Sequence, residues 1–502
     1  MHDNTPESLR KKALKHGTKT VSKRAQSKQS SLAGSRLASR ANSTANSQNP
    51  SASNSRAGSD IGSSSIGDED DDHNRPDTPN SIDALIAERD DHADGAWQEH
   101  LANIIEQIED RNWKSSNTQT RQQALIAYIR VLCSHFVQED IAFRVNQLVG
   151  AFVKIVKSED DSIEVSLALK ALSITMITSP SDEIYEAAAG SIKRTIVDSS
   201  DLGTKILAIQ TLAILYFYGD LSEEALAECL DFFLEIVSTD GEHVDALDEA
   251  GPVAAALEAW GFLATLVDDE GFLNVEEALE TFVDQLDSNS TSVLIAAGEN
   301  IALFYEKAYI PVSEEEIADE RDADVLVVSN EHDKTKEYFK RLYALYPRQA
   351  VLETKLRSLQ SHSSRSVSRT DRKSLHTSFA DILHSVQNPT LGPHFATSLN
   401  PETGAERGSK LKLKSPGKSS SSTTAMATID KWWMLHRHRA LKEVLGHGFM
   451  VHYEVNVAIF EALPIVFLPL DEWNRKDGKK KKMKPWQMGN GNKTTITIEE
   501  WD

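Results

Sequence analysis

The strongest constraint on this chain is a helical pattern that repeats about every 40 residues. From Ser81 onward apolar residues recur at i, i+3, i+4 and i+7, as in Leu101, Ile104, Ile105 and Ile108, which puts them on one helix face. The same spacing predicts helices near 118–137, 139–157, 162–178, 181–198, 202–218, 222–238, 253–267, 274–287 and 291–308. Every second helix carries a related core: Ala124-Leu-Ile-Ala-Tyr-Ile, Ala168-Leu-Lys-Ala-Leu-Ser-Ile, Ala208-Ile-Gln-Thr-Leu-Ala-Ile, Ala256-Leu-Glu-Ala-Trp-Gly-Phe and Ala297-Gly-Glu-Asn-Ile-Ala-Leu. The alanine anchors lie 44, 40, 48 and 41 residues apart. A small residue there lets neighbouring helices approach while flanking apolar residues fill the seam, and the period is that of armadillo or HEAT-like arrays. Ser181, Ser222 and Asn274 precede acidic first turns, which suits N-capping and the helix dipole. The predicted fold class is all-α, an armadillo/HEAT-like α-solenoid over 81–360. A last amphipathic helix over 338–359, with Tyr338, Phe339, Leu342, Leu345 and Tyr346, is predicted to close it. Solenoids offer extended surfaces to partners, so the architecture points to scaffolding.

Charge is distributed unevenly. The net charge is -22, and residues 206–306 hold 22 Asp/Glu with no Lys or Arg. Residues 1–59 hold 11 Lys/Arg against Asp3 and Glu7, and an acidic run follows at 68–72. Residues 475–493 hold eight Lys/Arg against Asp477 alone. An acidic body repels phosphate, so nucleic-acid contact is expected from the termini and basic protein partners from the body; a solvated acidic face is the plainer alternative. Cys133 and Cys229 are the only cysteines, with no CxxC or Cys/His ligand spacing, which fits a reducing compartment. No apolar run reaches the roughly 18 to 20 residues needed to span a bilayer. The expected localisation is therefore cytoplasmic and/or nuclear, with no membrane partner.

Composition sets the expected boundaries. Residues 1–80 form a Ser-rich tail, with 15 serines between 20 and 66, and are expected to be disordered. Arg24-Ala-Gln-Ser27, Arg36-Leu-Ala-Ser39 and Arg365-Ser-Val-Ser368 match basic-directed phosphorylation sites. Residues 361–386 lead into a C-terminal unit, 387–425 read as a disordered linker rich in Pro, Gly, Ser and Lys, 426–473 as a small helical domain, and 474–502 as a basic tail. Within the small domain a helix opens at Ile429-Asp-Lys-Trp432-Trp433 and runs through Leu441-Lys442-Glu443-Val444-Leu445. Gly446 and Gly448 stop it before a second amphipathic stretch.

Trp432, then Leu441-Lys442-Glu443-Val444-Leu445-Gly446-His-Gly448, then His452 and Asn456 spaced H-x-x-x-N, resemble the C-terminal domain of the interferon-related developmental regulator family. The segment from Arg372 to Ile382 is similar to that family's lead-in, and the helical region from about 81 to 356 to its armadillo-like N-terminal domain. The resemblance implies a non-enzymatic regulator. It implies transcriptional co-regulation through deacetylase-type complexes, or binding to ribosomes that are not translating. The motif residues Trp432, Leu441, Lys442, Glu443, Leu445, Gly446, Gly448, His452 and Asn456 are then candidates for partner binding.

Two other clusters invite chemistry. His436, His438, His447 and His452 lie close in sequence, but their spacing matches no ligand pattern; packing or capping is expected for His452 and surface polarity for His436 and His438. Lys479, Lys480, Lys481, Lys482, Lys484 and Trp486 join cations to an aromatic ring, suited to neutralising phosphates while the ring stacks on a base. Ribosomal RNA, an import receptor or solvent alone are the three readings of that run. The signatures G-x-S-x-G, G-x-x-x-x-G-K-[ST], H-E-x-x-H and G-x-G-x-x-G are absent from the sequence, so no enzyme, cofactor, metal or small-molecule substrate is expected.

Overall fold

The computed structural model describes residues 81–86, 97–110, 116–158, 160–267, 275–313, 325–329, 336–343, 345–361, 368–390, 392–393, 398–399, 406–407, 412–414, 425–429, 431–464 and 468–469. The Ser-rich tail, Asn274 and the whole Lys-rich run lie outside them. Helices dominate: α1 (Ser81–Ile86), α2 (Trp97–Glu109), α3 (Thr118–Ser134), the single turn α4 (Gln138–Ile141), α5 (Val145–Ser158), α6 (Ser162–Thr178), α7 (Asp182–Asp198), α8 (Leu202–Tyr218), α9 (Glu223–Ser238), α10 (Ala250–Ala264), α11 (Val275–Gln285) and α12 (Thr291–Lys307).

Side-chain caps start these helices where the sequence predicts. The Ser181 hydroxyl accepts from the Glu183 amide at 3.2 Å and the Ser222 hydroxyl from Ala225 at 3.3 Å. Asp161 and Asp201 do the same for Glu164 at 2.8 Å and Thr204 at 2.7 Å, each satisfying an amide that the helix leaves without a partner.

The helices pair into a solenoid. α3, α6, α8, α10 and α12 pack successively as an inner row, and α2, α5, α7, α9 and α11 pair with them as an outer row. All five repeat anchors, Ala124, Ala168, Ala208, Ala256 and Ala297, are buried on the inner row. Lys205 ties adjacent repeats together: its ammonium donates to the carbonyls of Ile196, Val197 and Val244 at 2.6 to 2.8 Å, closing the C-terminal end of α7. Cys133 and Cys229 are free, buried thiols, and burial pushes Cys133 up to about 12.

The rows differ in character. The outer helix α9 buries Cys229, Phe233, Leu234, Ile236 and Val237 and exposes Glu228, Asp231 and Glu235. The inner helices α6 and α12 have no such wet face: α6 is buried continuously from Glu164 to Thr178, and α12 from Val293 to Glu306. A helix apolar all round must be covered all round. The outer row covers one side, and a second layer has to cover the other.

Two helix predictions need correction. The stretch 139–157 is broken, because Arg144 donates to Ile141 at 2.8 Å in a tight turn and α5 restarts with Val145, Leu148, Val149, Phe152 and Val156 facing inward. Phe143, in the turn, is left 95% exposed. The predicted helix over 338–359 is also wrong in its first half. Residues 336–341 form the central strand β3 (Lys336–Arg341) of an antiparallel sheet between β1 (Tyr309–Val312) and β2 (Val325–Ser329), with Phe339 opposite Pro311 and Leu326, and Tyr338 opposite Val312 and Val327. The valine-rich run Val325-Leu-Val-Val supplies a partner strand, and Pro347 bars a helix from running through the segment. Helix resumes as α13 (Gln349–Gln360), which packs on α14 (Arg369–Gln387), and α14 in turn packs on α12.

The described part of the linker is not wholly irregular. β4 (Ser398–Leu399) pairs with β5 (Glu406–Arg407), and β6 (Lys412–Lys414) pairs with β7 (Ala425–Thr428), which also pairs with β8 (Leu468–Pro469).

Candidate functional site

The second covering layer is α14, which packs on α12, together with the C-terminal segment, which covers the rest of the inner row. α15 (Trp432–Leu445), a 3₁₀ turn (Gly446–Gly448), α16 (Phe449–Val455) and α17 (Val457–Ala462) lie against the inner row, starting at α12 and ending at α3 and α6. Trp432, Leu435, Leu441, Leu445 and Phe449 belong to the same apolar core as Leu172, Leu212 and Leu257. The segment expected to form a separate unit therefore shares the solenoid's core. Burying each such large side chain contributes about 1.5–3 kcal/mol.

The solenoid caps both ends of α15. At its start the amides of Trp432 and Trp433 donate to the Glu306 carboxylate, at 2.9 and 3.2 Å, where the helix dipole is positive. Near its end the Lys170 ammonium donates to the Glu443 carbonyl at 2.7 Å, where the dipole is negative, and also holds Asp83 of α1 at 2.9 Å. Trp432 adds an indole N–H to the Ser385 hydroxyl of α14 at 2.8 Å, and Arg439 pairs with the buried carboxylate of Glu299.

The reverse also holds, because the C-terminal helices cap the inner row. His452 Nε2 donates to Leu132 O of α3 at 2.6 Å, Asn456 Nδ2 to Ile177 O of α6 at 2.9 Å, and Arg437 to Thr265 O beyond α10 at 2.9 Å. These are terminal carbonyls that a helix cannot satisfy itself. Arg437 also donates to Ala462 O at the end of α17 and lies over the rings of Phe217 and Trp433, each 5.1 Å away. Burial lowers its pKa to about 10, which leaves it charged at neutral pH.

Two glycines permit the close approach. A Cβ on Gly448 would sit 2.0 Å from Cys133 O, and one on Gly261 would sit 2.2 Å from Asn300 Oδ1 and 2.6 Å from His436 Cε1. Gly446 has φ +54°, a conformation that favours glycine and turns the chain out of α15.

The histidines need correction in part. His436 and His438 do not add surface polarity; both are buried. His438 lies edge-on to Phe449 at 5.1 Å, and burial, then the Arg439 charge, lowers its pKa to about 4. His452 is lowered too, by burial, against the opposing pull of its Leu132 hydrogen bond. Among the described residues no group of three or more His, Cys, Asp or Glu has the arrangement to hold a metal ion.

Most of the motif is thus turned inward. Trp432, Leu441, Leu445, Gly448, His452 and Asn456 are buried, Lys442 is half-buried, and Glu443 and Gly446 are exposed. Glu443 also accepts from Gln210 of α8 at 2.6 Å. Lys479, Lys480, Lys481, Lys482, Lys484 and Trp486 lie outside the described residues. Sequence reasoning missed Lys170, Glu299, Glu306, Arg437 and Arg439. The signal was present in Lys170, Glu299 and Glu306, charged residues set within the apolar runs of inner-row helices.

Comparison with known proteins agrees with the array. The pattern of the family described as Interferon-related developmental regulator (IFRD) matches residues 59–387, ending with α14. This chain belongs to the interferon-related developmental regulator family. An uncharacterized protein of Schizosaccharomyces pombe is 25% identical over 359 residues, covering 71% of this chain and 72% of that protein. Membership supports a regulatory helical-repeat protein. The family match stops before Trp432, so the role of α15 to α17 rests on their geometry.

Proposed function

We propose that this protein is a non-enzymatic scaffold that regulates gene expression by associating with ribosomes that are not translating. In this reading the inner row, locked to α15–α17, acts as one body, and the run Lys479–Lys484 with Trp486 follows the module and contacts ribosomal RNA. The observation that carries it is the mutual capping of inner row and C-terminal helices. It gives a cationic segment a rigid anchor upstream in the chain, so that phosphate contacts made by the tail hold the whole array in place. Occupation of the mRNA or tRNA path by the docked protein would then block translation sterically.

The test is sedimentation of the tagged protein from growing and starved cells, with and without RNase, beside a variant lacking residues 479–486. Co-migration with monosomes that is lost with the tail is expected. A protein that stays at the top of the gradient in every condition defeats the reading.

A second reading, a nuclear co-regulator that recruits deacetylase-type complexes, is favoured by a different observation. Glu228, Asp231, Glu235, Glu276 and Glu280 on α9 and α11 are exposed, a surface suited to basic chromatin or transcription proteins. The two readings place the protein in the cytoplasm and the nucleus respectively, and in the second the lysine run serves an import receptor.

A further inference from the structure

The inward residues of α16 and α17 are accounted for by the lock on the inner row; the outward ones are not. Val451, Val455, Val457 and Phe460 are 38, 53, 67 and 49% exposed, and they make up four of the eight large hydrophobic residues exposed among the described residues. Val451 and Val455 are one helical turn apart on α16, Val457 and Phe460 one turn apart on α17, and the helices meet at Asn456. Four such side chains within ten residues form a strip, and clustered apolar exposure marks a contact surface. Glu454 and Glu461 are exposed beside it, and neither helix contains Lys or Arg. Phosphate is repelled there, and a basic segment with apolar anchors is favoured.

The same chain supplies such a segment. Between 473 and 486 it carries Trp473, Met483 and Trp486 interleaved with Arg475, Lys476 and five further lysines. It follows β8, which ends at Pro469, so only about ten residues separate that strand from the lysine run, with an extended reach of about 30 Å. A tether this short holds the segment near the strip at an effective concentration on the order of millimolar. We propose that the strip Val451, Val455, Val457 and Phe460, flanked by Glu454 and Glu461, is the docking site of the chain's own segment 473–486. Docking shields the lysine run, so any anionic ligand of that run competes with the strip. The docking itself requires no RNA and stands apart from the ribosome reading.

The experiment uses the full chain, freed of nucleic acid. Tryptic cleavage between Arg475 and Lys484, followed by mass spectrometry at low salt, is expected to run about ten-fold faster in a V457S/F460S variant than in the parent. High salt should narrow the gap. Both substituted positions are exposed, so the melting temperature is expected to stay put. Deuterium exchange over 449–462 gives a second readout: changing Lys479, Lys480, Lys481 and Lys482 to Glu should raise it while leaving α6 and α10 protected. Equal cleavage rates together with unchanged exchange overturn the proposal. So does protection that grows with protein concentration, which would make a second copy the occupant. RNA affinity is then read separately: V457S/F460S binding RNA several-fold more tightly fits competition for the lysines. No RNA binding by either protein defeats the ribosome reading and leaves the docking intact.

Discussion

The acidic span 206–306 divides into two populations that behave in opposite ways. On the inner row, Glu299 and Glu306 are buried and committed, one to Arg439 and the other to the first amides of α15. On the outer row, carboxylates such as Glu228, Asp231, Glu276 and Glu280 face solvent. One charge count covers both, but the physics differs: a buried carboxylate must be paired or it destabilises the fold, whereas an exposed one costs little and remains available to a partner. The inner charges hold the molecule together, and the outer ones set its long-range field.

The sharpest way to break this division is to remove the wedge that brings the inner charges and their partners together. Trp432→Ala deletes a buried ring and its hydrogen bond to Ser385, for a loss of about 3–5 kcal/mol. Because Glu306 caps the same turn, α15 should detach from α12 and expose the inner row. Deuterium exchange should rise across 432–445 and along α10 and α12, with α2 and α5 unaffected. Uniform exchange across all repeats, or none, would remove the claim that this module is the inner row's cover.

A pH titration sharpens the same boundary. His438 has a folded pKa of about 4 because burial disfavours its charged form, against about 6.5 in the unfolded chain. The unfolded state therefore binds the extra proton first, and the contribution of this group is complete above pH 6.5. It is lost as pH falls from 6.5 toward 4, by on the order of 3 kcal/mol. His438→Phe should keep the packing against Phe449 and flatten the melting curve of the C-terminal module between those pH values. A variant with the parental pH dependence would place the sensitivity elsewhere, His452 being the next candidate, since its pKa is lowered too.

Much of this was legible in the sequence, and what was not has identifiable causes. The alanine anchors and their period gave the inner row because every inner helix repeats the same packing problem. Ser181 and Ser222 were readable as caps because capping is local. β3 was misread because Tyr338, Phe339, Leu342, Leu345 and Tyr346 satisfy a helical spacing, while the pairing that makes them a strand comes from Val325–Ser329. The lock of α15 on the inner row joins residues more than a hundred positions apart, such as Glu306 with Trp432 and Lys170 with Glu443, and no local pattern reports such pairs. One clue was available: α8 and α12 lack a polar face, so something had to cover them.

Asn456→Ala probes a smaller part of the lock. The substitution leaves Ile177 O buried without its donor and removes the cap of α17 at Ala458, for about 2 kcal/mol. Asn456→Asp should restore the cap but not the donor, and so recover only part of the loss in thermal denaturation. Full recovery would mean that the carbonyl of Ile177 finds another donor.

The smallest stability effect is expected on the other side of the comparison. Glu228→Gln, Asp231→Asn and Glu280→Gln together remove three exposed charges from α9 and α11, and each should shift stability by less than about 0.5 kcal/mol. Their influence should appear in association instead. Binding of a lysine-rich histone tail peptide should weaken in the triple variant, and its salt dependence should become shallower, because an exposed field acts on the approach of a charged partner and is screened over about 10 Å at 0.1 M salt. Glu299→Gln supplies the contrast: one charge fewer, buried opposite Arg439, should cost far more stability than all three outer changes and leave the salt dependence of peptide binding where it was. If inner and outer substitutions proved equal in both assays, burial would not be what separates the two populations, and the acidic span would have to be treated as one surface.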